Sequence, residues 1–370
     1  MSVFCGGKKN ELQKSENGVN VFKIKALNKE IFRENVVSKF SEIHLIKNFD
    51  IVESPDYGAD GYFVKIAFPL LPYVVKLHSP SYLIEQYSNY YLQYIFKKNL
   101  KNFIKSKLKK IIGKKVYSEY KKENDIEYKN ALLANLVTSP SKGLLKKIIA
   151  DWRLRKNKTI VIENIYKPSL ELLAIPLKYN YNRVTLIGKI SLLKGLLEFV
   201  DVIPVVLEKF PYLQFRFIGL DTTSPEAKTT MSEFIKRKCK NFINNIEFTG
   251  QVQLDTIPKY LAETDIVVCN SLWENYPTVI LEAMSAGRIV IGTRVGGIPE
   301  IIENKKNGFL IESKKSSELS ECIIKFYEDI SVNTKLGNGA RNYIVTKNSN
   351  EHILLKVKES YFKTILECSQ

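Results

Sequence analysis

Short apolar runs alternate with longer amphipathic segments along the second half of the chain. Continuous short apolar runs predict buried strands, whereas apolar positions three and four residues apart predict helices. The predicted strands are residues 184–190, 213–219, 246–250, 265–269 and 288–293. The predicted helices are residues 196–210, 232–242, 257–262, 277–286, 319–329, 335–346 and 351–366, with one more opened by Pro299. This alternation predicts a doubly wound α/β sheet whose ligands lie beyond the carboxyl ends of the strands.

The first half of the chain shows the same alternation with shorter apolar runs. The predicted strands are residues 19–24, 51–53, 62–67, 73–77 and 136–141, and a helix is predicted over residues 31–40. Residues 1–7 are predicted to be the end of a strand that runs into a loop. Ser139 or Ser141 is expected to cap the helix that follows the last of these strands. At 370 residues the chain is long enough for two domains. The predicted organisation is a first lobe of residues 1–178, a second lobe of residues 179–350, and a C-terminal helical segment of residues 351–370.

Two glutamates mark the predicted helix over residues 277–286. Glu274 lies in the polar turn before this helix, and Glu282 lies one and a half turns inside it. Pro277 suits the first helical turn because it needs no amide partner there. The amides of Thr278 and Val279, helped by the helix dipole, favour an anion such as a diphosphate.

Glu274 and Glu282, with Ala283, Gly287 and the turn at residues 296–300, resemble the donor-site signature of retaining glycosyltransferases of family 4. The resemblance implies the GT-B fold, in which two Rossmann-like lobes face a cleft, with the nucleotide-sugar site in the second lobe. It implies that Glu274 contacts the donor sugar and that Glu282 holds the ribose hydroxyls of the nucleotide. The plain alternative is an amphipathic helix with two solvated glutamates.

The start of the second lobe carries two cations in the pattern of this family. The family usually has Gly-Arg followed by Lys-Gly, and this chain has Gly188-Lys189 and Lys194-Gly195. The resemblance implies that both lysines neutralise a departing diphosphate, although a lysine offers a point charge where arginine offers a bidentate fork. Surface lysines placed by chance are the alternative. The donor-binding residues expected in all are Gly188, Lys189, Lys194, Val252, Glu274, Asn275, Tyr276, Pro277, Thr278, Val279 and Glu282.

The expected catalytic residues are Glu274, Lys194 and His78. His78 ends a predicted strand of the first lobe and matches a family histidine at the sugar end of the cleft; a capping or packing role is the alternative. The first lobe of the family opens with a strand, a glycine-rich turn and a long helix. Here Gly6-Gly7 is followed by polar residues, so the first strand-helix unit is expected to be missing. By family precedent the C-terminal helix returns to the first lobe.

Charge is concentrated in the first half of the chain. Residues 1–178 hold 32 Lys/Arg against 17 Asp/Glu, which is +15 of the net +17. A basic lobe suggests attraction to anionic lipid or a polyanion, although an AT-rich genome also raises lysine content. Residues 92–115 form a predicted amphipathic helix with nine lysines between residues 97 and 115. This helix either lies in an anionic membrane surface or packs its apolar stripe in the lobe.

Scattered cysteines and histidines predict neither a disulfide framework nor a metal site. With no apolar run of about 20 residues and no signal peptide, the expected location is the cytoplasm, either free or peripheral at the inner membrane face. The resemblance implies metal-free, cofactor-free transfer of a sugar from a nucleotide diphosphate to a sugar or lipid-linked acceptor, in polysaccharide, lipopolysaccharide or glycolipid biosynthesis. A non-catalytic binding relative is the alternative, and a nucleic-acid partner is not expected.

Overall fold

The structure, a computed structural model, describes residues 1–15, 17–89, 120–226, 229–329, 333–347 and 350–369. The chain divides into two compact units. Unit 1 comprises Met1–Leu83, Glu119–Glu163 and His352–Gln370, and unit 2 comprises Ile84–Ser118 and Asn164–Glu351. The predicted basic helix over residues 92–115, with its lysines at residues 97–115, lies outside the described residues. The described helices include none with the length and apolarity that a membrane span requires.

The described residues of unit 1 form two small sheets. The strands of the first sheet, in the order β1-β3-β2, are β1 (Ser2–Gly7), β2 (Glu11–Lys14) and β3 (Asn20–Lys25). The strands of the second sheet, all parallel and in chain order, are β4 (Val52–Pro55), β5 (Tyr73–Lys76), β6 (Leu136–Ser139) and β7 (Thr159–Val161). The helices of this unit include α1 (Lys29–Lys47), α2 (Tyr62–Ala67), α3 (Ile126–Leu133) and α4 (Lys142–Trp152).

The prediction of a strand over residues 62–67 is wrong, because Tyr62–Ala67 forms α2. A short apolar run does not by itself distinguish a strand from a helix. Only Val64 of this run is buried, and the place beside β4 is taken by β5, with Val52 opposite Tyr73. Ser141 caps α4 by accepting a hydrogen bond from the amide of Leu144 at 3.2 Å. The missing first strand-helix unit stays a prediction.

Unit 2 is built on six parallel strands in the order β10-β9-β8-β11-β12-β13. These strands are β8 (Arg183–Ile187), β9 (Gln214–Ile218), β10 (Ile246–Gly250), β11 (Ile266–Cys269), β12 (Ile289–Thr293) and β13 (Phe309–Ile311). The strand order reverses between β8 and β11, and ligands of such sheets bind beyond the carboxyl ends of the strands at this switch point. The predicted doubly wound α/β sheet is confirmed.

Helices cover both faces of this sheet. They are α5 (Leu170–Leu173), α6 (Leu196–Lys209), α7 (Met231–Lys238), α8 (Ile257–Ala262), α9 (Thr278–Ser285), α10 (Ile298–Ile301), α11 (Ser316–Glu328) and α12 (Asn333–Lys347). Alternate residues of β11 enter different cores, with Ile266 and Val268 in one and Val267 and Cys269 in the other. A strand buried on both faces explains a continuous apolar run. The last helix, α13 (Asn350–Cys368), lies mostly in unit 1, where the Tyr361 hydroxyl donates to Glu53.

Candidate functional site

Two loops of unit 2 meet at the switch point, one after β8 and one after β11. The amide of Leu272 donates to the carbonyl of Leu193 at 2.8 Å, and the side-chain amide of Asn270 donates to the carbonyl of Gly195 at 2.8 Å. Gly195 has a φ of +66°, and a Cβ at this position would lie 1.9 Å from the Asn270 carbonyl oxygen. Glycine is therefore needed for the two loops to touch.

Lys194 and Glu274 form an ion pair across these loops. The Lys194 ammonium contacts Oε1 of Glu274, and their side chains are only 21% and 16% exposed. Ser271 donates to the same carboxylate oxygen at 2.8 Å. Burial opposes the charge on Lys194, but the attraction of Glu274 raises the pKa of the lysine overall. Lys194 therefore keeps its positive charge at neutral pH.

The loop after β12 supports Glu274 from the other side. The amide of Gly297 donates to the carbonyl of Glu274 at 3.1 Å, and a Cβ on Gly296, whose φ is +50°, would lie 1.7 Å from that oxygen. The hydroxyl of Thr293 donates to the carbonyl of Ser271 at 2.6 Å. The turn predicted at residues 296–297 therefore packs directly against the backbone of Glu274.

Helix α9 begins at Thr278, and Pro277 precedes it rather than forming its first turn. Pro277 has ψ of 115°, outside the helical range, while its carbonyl accepts from the amide of Ile280 at 3.1 Å. The first amides of a helix have no acceptor within it, so those of Thr278 and Val279 point out of the helix start. Gly287 closes the helix region with a φ of +64°.

Glu282 lies half-buried on α9. Burial raises the pKa of its carboxyl, and no described residue forms a hydrogen bond or ion pair with it. Tyr166, which the sequence pattern did not single out, bonds Ser285 on the same helix at 3.1 Å. Burial, with a contribution from Glu282, raises the pKa of Tyr166 to about 12. A neutral phenol therefore lies near this carboxylate.

The remaining predicted donor residues lie at the same edge of the sheet. Gly188 follows β8 with a φ of +133°, and its amide donates to the carbonyl of Ile218 at 2.8 Å. Lys189 is exposed and forms no ion pair with any residue in the described part of the chain. Val252 follows β10 and is half-buried against the core. Asn275 and Tyr276 are half-buried in the turn between Glu274 and α9.

His78 lies in unit 1, just after β5, with a side chain that is 55% exposed. Its Nδ1 is 3.0 Å from the carbonyl oxygen of Lys76 and 3.4 Å from Oδ1 of Asp56. The hydrogen bond to Asp56 raises the pKa of His78 above its usual value, against the effect of burial. Asp56, at the carboxyl end of β4, was not among the predicted site residues.

Part of unit 2 is similar to a known protein family. Residues 181–329 match the family model described as Glycosyl transferases group 1. N-acetyl-alpha-D-glucosaminyl L-malate synthase of Bacillus anthracis is 31% identical over 111 residues, which cover 30% of this chain and 29% of that protein. The chain spans less than two thirds of the length of the first curated relatives that it matches.

Solved structures give the fold of the chain. Sucrose-phosphate synthase from Thermosynechococcus elongatus has a TM-score of 0.72 at 16% identity, covering 99% of this chain and 89% of that one. Anabaena HepE in complex with UDP and glucose has a TM-score of 0.65 at 20% identity, covering 92% and 85%. The predicted GT-B fold is confirmed.

Unit 2 thus brings together most of the predicted donor residues at one edge of its sheet. The structure adds Ser271, Asn270 and Tyr166, which no motif in the sequence signals. A buried serine or asparagine in a turn is ordinary loop composition, and its role is visible only from its contacts. Among the described residues, no group of three or more His, Cys, Asp or Glu side chains is arranged to hold a metal ion.

Proposed function

We propose that this chain is a glycosyltransferase that moves a sugar from a nucleotide diphosphate to an acceptor hydroxyl, with retention of the anomeric configuration as in family 4. The observation that carries the proposal is the Lys194–Glu274 pair at the switch point, beside the start of α9 and the carboxylate of Glu282, which has no partner among the described residues. The group 1 match covers all of these residues.

The charges of this site suit a departing diphosphate. The transition state resembles an oxocarbenium ion separating from a diphosphate, so catalysis depends on stabilising the charge that develops on the leaving group. Lys194 supplies a cation held in place by its neighbours, and the exposed Lys189 supplies a second. The amides of Thr278 and Val279 add partial positive charge at the start of α9.

The two glutamates suit the two sugars of the donor. Glu274, held by Ser271 and the Gly297 amide, orients the transferred sugar while sharing Lys194 with the diphosphate. No described residue donates a hydrogen bond to the carboxylate of Glu282. A carboxylate can accept hydrogen bonds from both ribose hydroxyls at once. The backbone around Val252 faces the nucleotide base in this proposal.

Named relatives support the donor class and leave the acceptor open. HepE is described in complex with UDP and glucose, and another relative is named D-inositol 3-phosphate glycosyltransferase. By analogy we propose a sugar or lipid-linked acceptor, in polysaccharide, lipopolysaccharide or glycolipid assembly at the cytoplasmic face of the membrane. We propose that no metal and no other cofactor take part.

The test is calorimetric binding of UDP, GDP and ADP to the wild type, Lys194→Ala, Glu282→Ala and Lys209→Ala. Lys209 pairs with Glu328 on the surface of the same unit, so it controls for loss of a lysine and an ion pair. We expect one nucleotide to bind the wild type and Lys209→Ala, with affinity reduced at least about tenfold in the other two. Absence of binding by any nucleotide would reject the proposal.

Turnover separates an enzyme from a binding relative. With the nucleotide identified, the matching sugar nucleotides are incubated with simple glycosides, and the anomer of any product is assigned by NMR. A product with the donor's configuration supports retaining transfer, whereas tight binding without any transfer supports the non-catalytic alternative.

A further inference from the structure

Asp56 is a fully buried carboxylate in unit 1, at the carboxyl end of β4. Its Oδ1 accepts the amides of Tyr57 at 2.7 Å and His78 at 2.8 Å, and its Oδ2 accepts the amide of Ser79 at 3.4 Å. These bonds connect the turn after β4 to the turn after β5. Asp56 is therefore placed to control the backbone and the side chain of His78 together.

The backbone after His78 is strained. Ser79 has a φ of +118°, a conformation that a residue with a Cβ adopts rarely and at a cost of roughly 1–3 kcal/mol. The surroundings must hold such a residue in place. Asp56 does so by accepting hydrogen bonds from the backbone amides of His78 and Ser79. A specific conformation of this turn is thus maintained by one carboxylate.

The contacts of the ring decide which nitrogen of His78 carries the proton. Nδ1 faces two oxygens that can only accept, the carbonyl of Lys76 at 3.0 Å and Oδ1 of Asp56 at 3.4 Å. A neutral imidazole satisfies them by carrying its proton on Nδ1, which leaves Nε2 as the acceptor. The ring is more than half exposed, so this acceptor belongs to a side chain that a substrate can reach.

We propose that Asp56 is a positioning residue for His78, fixing its Nδ1–H tautomer so that Nε2 accepts a hydrogen bond from a substrate hydroxyl. The tautomer follows from the geometry alone, and the role toward a substrate hydroxyl rests on the proposed function. Among the described residues, the charged groups acting on His78 are Asp56 from the neighbouring turn and Lys76 from its own strand. Asp56 favours the imidazolium and Lys76 opposes it.

Imidazole NMR of the free protein tests the first half of the proposal. The chain has three histidines, so a His78→Asn variant assigns the His78 signals directly. We expect ¹⁵N shifts of the neutral wild-type ring to report a proton on Nδ1. A proton on Nε2 would overturn the proposal, and this measurement needs no variant at Asp56.

Asp56→Asn then tests the carboxylate, with Asp60→Asn as the matched control in the same loop. Asn keeps an acceptor oxygen for the backbone amides but removes the charge. We expect the pKa of His78 to fall in Asp56→Asn and to stay at the wild-type value in Asp60→Asn. An unchanged His78 pKa in Asp56→Asn would overturn the proposal even if the variant were less active.

Kinetics test the role toward the substrate. Protonation of Nε2 removes its acceptor, so kcat/KM of the wild type should fall at acid pH with the pKa of His78. In Asp56→Asn the fall of kcat/KM at acid pH should move to lower pH. At pH values above this fall, kcat/KM of the variant should be reduced about tenfold relative to the wild type. A loss of rate with no such move indicates a structural role only and rejects the proposal. If the wild type transfers no sugar from any donor, the proposed function fails, and the NMR experiments still decide whether Asp56 controls His78.

Discussion

Two acidic side chains, one in each unit, are held in opposite ways. Asp56 is fully buried, and three backbone amides fill its oxygens. Glu282 is half-buried, has no hydrogen-bond or ion-pair partner among the described residues, and carries a pKa raised by that burial. A carboxylate that accepts hydrogen bonds from backbone amides stabilises the structure around it. A half-buried carboxylate without such donors lowers the stability of the folded protein until a ligand supplies them.

Glu274 lies between these two extremes. Its carboxylate contacts the cation of Lys194 and the hydroxyl of Ser271, so it is paired in the free protein. Its pairing nevertheless depends on Lys194, which we expect the diphosphate to share. The three acids therefore range from structural support at Asp56, through a shared ion pair at Glu274, to an open ligand-binding group at Glu282. Three substitutions in unit 2 test this order.

The largest effect is expected from Lys194→Met. Loss of a preorganised cation aimed at a developing negative charge reduces kcat by roughly 10²–10³. The same change leaves Glu274 without its cation in a mostly buried position, so the melting temperature should fall as well. Steady-state kinetics and thermal unfolding measure the two effects, with Lys209→Met as the control for an exposed pair. Equal losses of kcat and of melting temperature in Lys194→Met and Lys209→Met would show that the Lys194–Glu274 pair has no special role.

A smaller but purely structural effect is expected from Gly195→Ala. The new Cβ would lie 1.9 Å from the Asn270 carbonyl, so the two loops must separate. We expect the free energy of unfolding to fall by more than about 3 kcal/mol. Gly250 is the matched control, because its φ is +71° and a Cβ there meets nothing within 4 Å. Gly250→Ala should cost only roughly 1 kcal/mol of backbone strain.

Denaturant unfolding of both glycine variants separates contact from strain. If the two alanines destabilise equally, the close approach of the loops after β8 and β11 does not hold Lys194 against Glu274. The ion pair would then owe its position to the side chains alone.

The central strands of unit 2, β11 and β12, were predictable because they are buried on both faces. Continuous apolar runs such as Ile266–Cys269, separated by glycines and prolines, leave little choice of element. Residues 62–67 were mispredicted because the run is as apolar as a strand. The structure shows that β5, and not this run, pairs with β4 in the sheet. The sequence pattern thus determined the central strands most firmly, and it failed at residues 62–67, where only Val64 is buried.

The candidate site was predictable only as far as its motif extends. Glu274, Glu282 and the glycines stand at family spacing, so the sequence indicates them together. Asp56 stands in a turn, where aspartate is common, and its function depends on amides more than 20 residues away. The fit of Gly296 against the Glu274 carbonyl is likewise a contact between loops that no local pattern contains.

The smallest effect, and the one that tests the comparison most directly, is expected from Glu282→Gln. Burial raises the pKa of Glu282 in the folded protein, so its favourable contribution to stability is complete below the unfolded pKa and is lost as pH rises through the folded pKa. At pH 7 the charged form is therefore destabilising. Glutamine removes that charge, so the variant should be slightly more stable than the wild type at pH 7, by less than about 1 kcal/mol.

The gain in stability of Glu282→Gln should vanish as pH falls toward 4, where Glu282 of the wild type is also neutral. The nucleotide affinity of the variant at pH 7 should drop about tenfold, because an amide has one acceptor oxygen where a carboxylate has two. Thermal unfolding at several pH values and calorimetry measure the two quantities, with Glu321→Gln on the exposed face of α11 as the control. A variant that is less stable at pH 7 would mean that Glu282, like Asp56, is held by donors in the folded protein. Its carboxylate would then support the structure, and the ribose would need another partner.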